Sequence, residues 1–291
     1  MKVAGFDIGG AELTVSSSEE DALDKTILTV SGDVINKGTL NVDTYVVCFN
    51  IDNKIGTTNV AEGYAVVYNN RYYQGGTAIG TIEKPDTWLI NEVEEGGEFK
   101  LVCDVITLSA PLNVKGDVTI HLNGMSLLNK TVDATGESCG TNAASIAVFY
   151  MDDAEGNLTI KGNGSVTAGA SSNRGASFVI PVWVRNGNVT IEGGSFLSNK
   201  DTEGKTSHAV YAMNSSKVYV KGGQFTALGE GSNMVLNCKD GSKAQFVLSG
   251  GEFKNFGAEE AAAVGNKEVV LASGYKWTAG SNDFFKVIKK N

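Results

Sequence analysis

Two adjacent carboxylates, Asp152 and Asp153, come closer than any other residues of this sequence to the types and spacing of an acid–base pair. Paired carboxylates cleave glycosidic bonds when one donates a proton and the other acts as a base or a nucleophile. Such a site would also need further acids, a His and basic residues on the same face, and the later sequence does not continue the set. We therefore interpret the pair as an acidic turn between two strands.

The histidines and cysteines do not form a catalytic or zinc-binding pattern. His121 alternates with apolar residues in a strand pattern, so we expect it to be outward-facing and solvated, while His208 begins another strand. The two belong to different repeats and lack a Cys partner, which disfavours a dyad. The cysteines show no C-x-x-C spacing and are expected to be reduced thiols: Cys48, Cys103, Cys139 and Cys238.

A lyase-type calcium site is disfavoured as well. Lys161 and Lys221 occupy equivalent outward positions, and Glu192 is the only acid at that position. Arg185 is outward-facing by the same alternation. One carboxylate per face cannot supply the several oxygen ligands that Ca²⁺ takes. We therefore expect no catalytic, cofactor-binding or metal-binding residues, and no enzymatic activity.

Composition and charge exclude several other classes of protein. The 291 residues include 36 Gly but only 3 Pro, and 42% are hydrophobic, which disfavours both collagen and disorder. A formal net charge of −9 with only three arginines disfavours a nucleic-acid partner. The N-terminal residues lack the apolar region of a secretory signal, and no stretch approaches 18 consecutive apolar residues, so we expect neither secretion nor membrane insertion.

A repeat in the last two-thirds of the chain would position any site. Its unit is apolar-x-apolar-x-Gly-Gly-x-aromatic, and a second short apolar strand precedes most copies. The spacing between copies drifts while the unit is preserved, as insertions into a coil of constant cross-section would produce. The first apolar positions of the copies are Val118, Leu158, Val189, Val218, Phe246 and Val269.

Stacked repeats would place like residues above like at the inter-strand spacing of about 4.8 Å. The aromatic positions, Phe196, Phe225 and Phe253, should then form an internal stack. The glycine pairs should lie at sharp corners where a Cβ would obstruct the turn. These pairs begin at Gly193, Gly222 and Gly250.

The pattern predicts an all-β fold with the following organisation. Residues 98–280 form a right-handed parallel β-helix (a solenoid), and residues 281–291 form a C-terminal cap or tail. Residues 1–82 form a small β-rich domain for attachment or oligomerisation. Residues 83–97 are a linker that leads into the solenoid, since Pro85 would break a strand ladder.

Four tyrosines in the first domain are candidate interaction residues. Two apolar segments flank Asn69-Asn70, a pair that accepts the positive φ angles of a type I′ hairpin. The even spacing of three of the tyrosines predicts that they share one side of the hairpin. Tyrosine is favoured at interfaces because it combines apolar area with a polar tip, and packing of these rings in the core is an equal alternative. The candidates are Tyr64, Tyr68, Tyr72 and Tyr73.

Residues 97–280 resemble the pectate-lyase-like right-handed β-helix superfamily, most clearly at Asp117-Val-Thr-Ile-His-Leu-Asn-Gly-Met-Ser-Leu127. The resemblance implies a fold but no activity, because lyases, glycosidases, adhesins and viral fibres share it. The lyase and glycosidase site residues do not map onto this chain. Residues 63–76, Gly-Tyr-Ala-Val-Val-Tyr-Asn-Asn-Arg-Tyr-Tyr-Gln-Gly-Gly, resemble the N-terminal part of head-fibre or appendage proteins of tailed phages.

These resemblances imply a non-catalytic structural protein of a bacteriophage virion, such as a head fibre, decoration or appendage protein. The N-terminal domain would attach to the capsid and the β-helix would contact the host surface, including a surface glycan. A homo-oligomer, most simply a trimer, is expected by analogy. The alternatives are a bacterial surface adhesin or carbohydrate-binding β-helix, and a polysaccharide lyase or hydrolase.

Overall fold

The computed structural model describes residues 2–3, 6–9, 12–16, 27–36, 39–43, 45–52, 57–60, 65–68, 71–74, 77–81, 85–101, 105–169, 176–199, 206–228, 234–264 and 268–291. The fold is mostly β, with long parallel sheets, two short α-helices and a 3-10 helix (Glu137–Cys139) among these residues. The chain divides into two compact units, the first running to Trp88 and the second beginning at Leu89.

The first unit contains two sheets in which most strand pairs are parallel. Its strands are β1 (Lys2–Val3), β2 (Phe6–Gly9), β3 (Glu12–Ser16), β4 (Ile27–Asn36), β5 (Thr39–Asp43), β6 (Tyr45–Asp52), β7 (Thr57–Val60), β8 (Ala65–Tyr68), β9 (Arg71–Gln74) and β10 (Thr77–Thr81). One sheet has the order β1-β4-β6-β8-β9-β10, with β2 also paired to β4, and the other is β3-β5-β7. Only the last two pairings of the first sheet, β8-β9 and β9-β10, are antiparallel.

Sequence analysis missed the parallel pairing in the first unit. Strand β5 pairs with β7 so that Asn41 lies opposite Asn59 and Val42 opposite Val60. Val42 is fully buried. The signal was present as a second, shorter repeat, Thr39-Leu-Asn-Val42 and Thr57-Thr-Asn-Val60. It was overlooked because it lacks the glycine pair and aromatic residue that mark the later copies.

The second unit begins within a helix and continues as strands. Its elements are α1 (Pro85–Glu95), β11 (Gly97–Lys100), β12 (Val105–Leu108), β13 (Leu112–Val114), β14 (Asp117–His121), β15 (Ser126–Asn129), β16 (Ser145–Lys161), β17 (Ser165–Ala168), β18 (Phe178–Ile191), β19 (Ser195–Ser198), β20 (Thr206–Ser207), β21 (Val210–Ala212), β22 (Lys217–Val220), β23 (Gln224–Ala227), β24 (Leu236–Cys238), β25 (Gln245–Leu248), β26 (Glu252–Lys254), α2 (Ala258–Ala263), β27 (Val269–Leu271), β28 (Tyr275–Ala279) and β29 (Phe284–Lys289).

These strands form three parallel ladders, which the chain visits in a fixed order. The first ladder is β13, the first half of β16, the first half of β18, β21 and β24. The second is β11, β14, the rest of β16, the rest of β18, β22, β25 and β27. The third is β12, β15, β17, β19, β23 and β26. We call each passage through the ladders a repeat.

The ladders pair equivalent residues of the repeats. On the second ladder, Val118 lies opposite Leu158, which lies opposite Val189, and the series continues through Val218 to Phe246. Each of these residues is at most 1% exposed. Burial alternates along second-ladder strands such as β22 and β25, because successive side chains point to opposite faces. The first half of β16 is instead buried on both faces.

Helix α1 contains the division between the two units, at Trp88 and Leu89, where sequence analysis placed a linker. Pro85 is its first residue, a position that tolerates proline because no intrahelical N–H bond is needed there. Leu89 and Val93 are buried. Glu94 accepts hydrogen bonds from Asn113 (3.2 Å) and Lys115 (3.1 Å), which holds the helix against β13. The Lys115 bond lowers the pKa of Glu94 more than burial raises it.

A change of strand direction ends the third ladder. Strand β29 pairs with β26 in the antiparallel sense, and β28 pairs with β29. Trp277 of β28 contacts the ring of Phe253, with centroids 5.5 Å apart. The hairpin of β28 and β29 therefore covers the end of the predicted phenylalanine stack, because its Trp277 packs against Phe253, the last ring.

Candidate functional site

The tyrosines predicted to form a contact surface lie on a β-hairpin of the first unit. Tyr64 falls outside the described residues, whereas Tyr68, Tyr72 and Tyr73 belong to β8 and β9, of which the backbone is described. The ladder pairs Tyr68 with Arg71 and Val67 with Tyr72. Tyr68 and Tyr72 are therefore not directly opposite each other in the backbone register, and the side that their side chains share stays a prediction.

The carboxylates of Asp152 and Asp153 belong to separate hydrogen-bond networks. Asp153 accepts a hydrogen bond from the backbone N–H of Gly116 (2.8 Å), and this bond is the main reason its pKa is lowered. Asp152 instead accepts hydrogen bonds from Tyr150 (3.2 Å) and Asn186 (2.5 Å). Both lie within the long strand β16 rather than in the turn expected from the sequence, and their hydrogen bonds run to different partners.

An aromatic cluster covers the outer side of the first ladder. Tyr150, Trp183 and Tyr211 occupy equivalent positions in three successive repeats. Trp183 is 2% exposed and contacts both tyrosines edge-on, at centroid distances of 6.4 and 5.9 Å. Its indole N–H points to the sulfur of Met213 (3.3 Å). The signal for this cluster was an aromatic residue at the same place in successive copies of the preceding strand.

A polar network borders the aromatic cluster. Arg185 forms an ion pair with Asp152 (Nη1–Oδ2 3.4 Å), and Asn214 donates to Asn186 (3.1 Å). Burial raises the pKa of Tyr150 more than the hydrogen bond with Arg185 lowers it. These outward polar groups are therefore bonded to one another between repeats, an arrangement that fixes the surface rather than leaving an acid or base free.

A loop supported by Asp133 lies over this network. The Asp133 carboxylate accepts hydrogen bonds from the backbone and side chain of Ser138, at 2.9 and 2.7 Å. A Cβ at Gly140 would lie 2.5 Å from Nη1 of Arg185 and 2.6 Å from the Tyr150 hydroxyl. A side chain at Gly140 would therefore require Arg185 or Tyr150 to shift. Cys139 of the same loop packs within the aromatic cluster, beside Tyr150 and Trp183.

The expectation that His121 is solvated was wrong, because it is 8% exposed and its Nε2 lies 2.5 Å from Oε1 of Glu98. Its partner comes from the preceding repeat, 23 residues earlier, so the alternation of residues within one strand does not predict the contact. His208 is 1% exposed, is stacked on Tyr211 (5.3 Å), and has its Nδ1 2.8 Å from the carbonyl of Met234. Burial lowers the pKa of His208 to about 4.

The two cysteines whose side chains are described are buried free thiols. Burial raises the pKa of Cys139 to about 11 and that of Cys238 to about 12. A thiol is nucleophilic as the thiolate, so both are suppressed as nucleophiles. Cys103 falls outside the described residues, and the side chain of Cys48 is likewise not described.

A groove follows the glycine corners between the second and third ladders. We call it the glycine groove, and its volume is about 590 Å³. Glycines line it together with five polar residues. The lining residues are Asn163, Gly164, Glu192, Gly193, Gly194, Ser195, Gly223, Gln224, Gly251 and Glu252.

Each glycine of a corner pair is required for a different reason. A Cβ at the first position would meet a backbone carbonyl of the preceding repeat, at 2.7 Å for Gly193, 2.5 Å for Gly222 and 2.0 Å for Gly250. The second positions, Gly194, Gly223 and Gly251, have φ angles of +94°, +97° and +100°. Close approach and backbone conformation therefore both keep the corner free of side chains. Sequence analysis recognised the corner but not the groove that results from it.

Among the described residues, no three or more His, Cys, Asp or Glu side chains are placed together to hold a metal ion. In the same part of the chain, no helix is long and apolar enough to cross a membrane.

The rings of Phe196, Phe225 and Phe253 lie one above the next beside the groove, inside the unit. Their centroids are 5.0 and 5.1 Å apart and their planes are within 10° of parallel. All three are fully buried.

No family model matches the chain, and neither a curated protein nor a solved structure is significantly similar to it.

Proposed function

We propose that the second unit is a right-handed parallel β-solenoid. Successive repeats visit the three ladders in the same order, and equivalent residues pair in register on each ladder. The internal stack of Phe196, Phe225 and Phe253 is the observation that carries this proposal, because like residues lie above like. Sheets built this way bury a continuous core only through neighbouring repeats.

The proposed function is that of a non-catalytic structural protein of a bacteriophage virion, such as a head fibre, decoration or appendage protein. The first unit would attach to the capsid, and the solenoid would contact the host surface. The resemblance of residues 63–76 to phage appendage proteins supports this choice. The bonding of outward polar side chains between repeats, as in Asn157 to Asp117 (2.7 Å) and Asn188 to Asn157 (3.2 Å), supports a rigid contact surface.

Mass spectrometry of purified particles tests the virion assignment. Particles produced by the source genome are banded by density and digested, and peptides of this chain are quantified against the major capsid protein. We expect a fixed stoichiometry across the particle peak, and light scattering of the purified chain to give a homo-oligomer, most simply a trimer. A chain absent from the banded particles would refute the assignment.

A carbohydrate-binding surface protein is the second candidate, and the glycine groove favours it because polar side chains line an open channel. A polysaccharide lyase or hydrolase is weaker. Glycosidases of this type use two carboxyl groups that flank one bond. Here the carboxylates of Asp152 and Asp153 bind different partners.

A further inference from the structure

We propose that the glycine groove binds an extended, neutral, unbranched polysaccharide that runs along the stack of repeats. Four successive repeats contribute to the groove, through Gly164, Gly194, Gly223 and Gly251. With about 4.8 Å between paired strands, these positions span about 14 Å. A volume of about 590 Å³ falls in the range of small-ligand sites.

The periodicity of the groove selects an extended glycan. One residue of an extended β-linked glycan advances about as far as one repeat of the stack, so successive sugars would meet equivalent glycine corners. An extended peptide advances about 3.3 Å per residue and would lose this match after one repeat. The corner amides are also occupied, since Ser195 donates to Gly164, Gln224 to Gly194 and Glu252 to Gly223. Strand addition by a peptide needs such groups free.

The polar side chains that line the groove can form hydrogen bonds with sugar hydroxyl groups. Asn163 and Gln224 carry amides, Ser195 a hydroxyl, and Glu192 and Glu252 carboxylates. Together they offer both donors and acceptors, which a sugar hydroxyl can use in either direction. Gln224 donates to Glu252 only at 3.4 Å, a long bond that a ligand can replace.

Lysines neutralise both carboxylates of the groove. Lys221 lies 3.1 Å from Glu192, and Lys286 lies 2.5 Å from Glu252. The hydrogen bond with Lys286 lowers the pKa of Glu252 more than burial raises it. Each carboxylate keeps oxygen lone pairs for a ligand, and paired charges favour a neutral chain over a uronic-acid polymer.

The biological role of glycan binding rests on the proposed contact function. Binding itself can be measured without assuming that function. The test is calorimetric titration of the full chain with three extended probes: cellotetraose, mannotetraose and tetra-N-acetylchitotetraose. Maltotetraose, which is curved, and tetragalacturonate, which is charged, are the comparison ligands. We expect at least one extended neutral probe to bind at least tenfold more tightly than both comparison ligands.

Matched variants locate the site. Gln224→Ala should weaken binding of that probe about tenfold, and Gln224→Trp, which fills the groove, should abolish it. Gln245→Ala changes the same residue type on the second ladder outside the groove and should bind like the unaltered chain. Failure of all three extended probes to bind, tighter binding of a comparison ligand, or undiminished binding by Gln224→Trp would overturn the proposal. If the chain is absent from virions but still binds the probe in the groove, only the virion assignment is refuted.

Discussion

Replacing Phe225 with alanine tests the internal stack at its centre. The ring is fully buried and lies between the rings of Phe196 (5.0 Å) and Phe253 (5.1 Å), so both of its faces lose a partner. Loss of a buried Phe side chain costs about 3–5 kcal/mol, because transfer and cavity contributions add. We expect the free energy of unfolding to fall by that amount.

Urea unfolding is the assay, followed by tryptophan fluorescence. Trp277 contacts the ring of Phe253 and therefore reports on the end of the stack. The control is Thr226→Ala, which changes the next residue of the same strand at a partly exposed position and should cost less than about 1 kcal/mol.

A double-mutant cycle isolates the contribution of stacking. Phe196→Leu, Phe225→Leu and the double variant keep most of the apolar volume, and an aromatic pair adds about 0.5–1.5 kcal/mol of coupling. A loss for Phe225→Ala no larger than that of Thr226→Ala, together with zero coupling in the cycle, would refute the reasoning.

The remaining predictions concern the corners, a buried histidine and the thiols. Gly222→Ala should lower the free energy of unfolding by about 1–3 kcal/mol, because its Cβ would lie 2.5 Å from a backbone oxygen. The control, Lys217→Ala, should change that free energy by less than about 0.5 kcal/mol. Equal urea midpoints for the two variants would contradict this prediction. Burial lowers the pKa of His208 to about 4, so its neutral form stabilises the fold fully above pH 6.5, and about 3 kcal/mol is lost as the pH falls from 6.5 to 4. His208→Gln should flatten this dependence in urea titrations run across that range, and an unchanged slope would count against it. Cys139 and Cys238 should resist alkylation at pH 8 and react in urea, as peptide mapping would record; rapid native labelling would contradict their raised pKa values.

Local repetition made much of the second unit predictable. The positions assigned from the sequence to the start of each copy are those that pair on the second ladder, from Val118 and Leu158 to Val269. The prediction succeeded because parallel stacking demands the same residue type at the same place. Helix α1 was missed because Pro85 both breaks strands and begins helices, and sequence alone favoured the former.

The candidate surfaces were less predictable, because they depend on contacts between repeats. Glu98 reaches His121 across 23 residues, and the glycine groove arises only when several corners are stacked. Trp183 is buried in a cluster with Cys139, which belongs to a distant loop that Asp133 holds through Ser138. No local pattern encodes these distances, although the equivalent aromatic positions of Tyr150 and Tyr211 pointed to the cluster.

The stacking of repeats is tested most directly by measuring distances along the central outward column of the second ladder. In that column Glu98 is followed by Thr119, Thr159, Thr190, Tyr219, Val247 and Val270. Spin labels attached through unnatural amino acids would pair position 98 with position 190, 219, 247 or 270 in turn. We predict distances that rise by about 4.8 Å per repeat, to about 29 Å for the last pair. Distances that fail to increase in that order would contradict the stack.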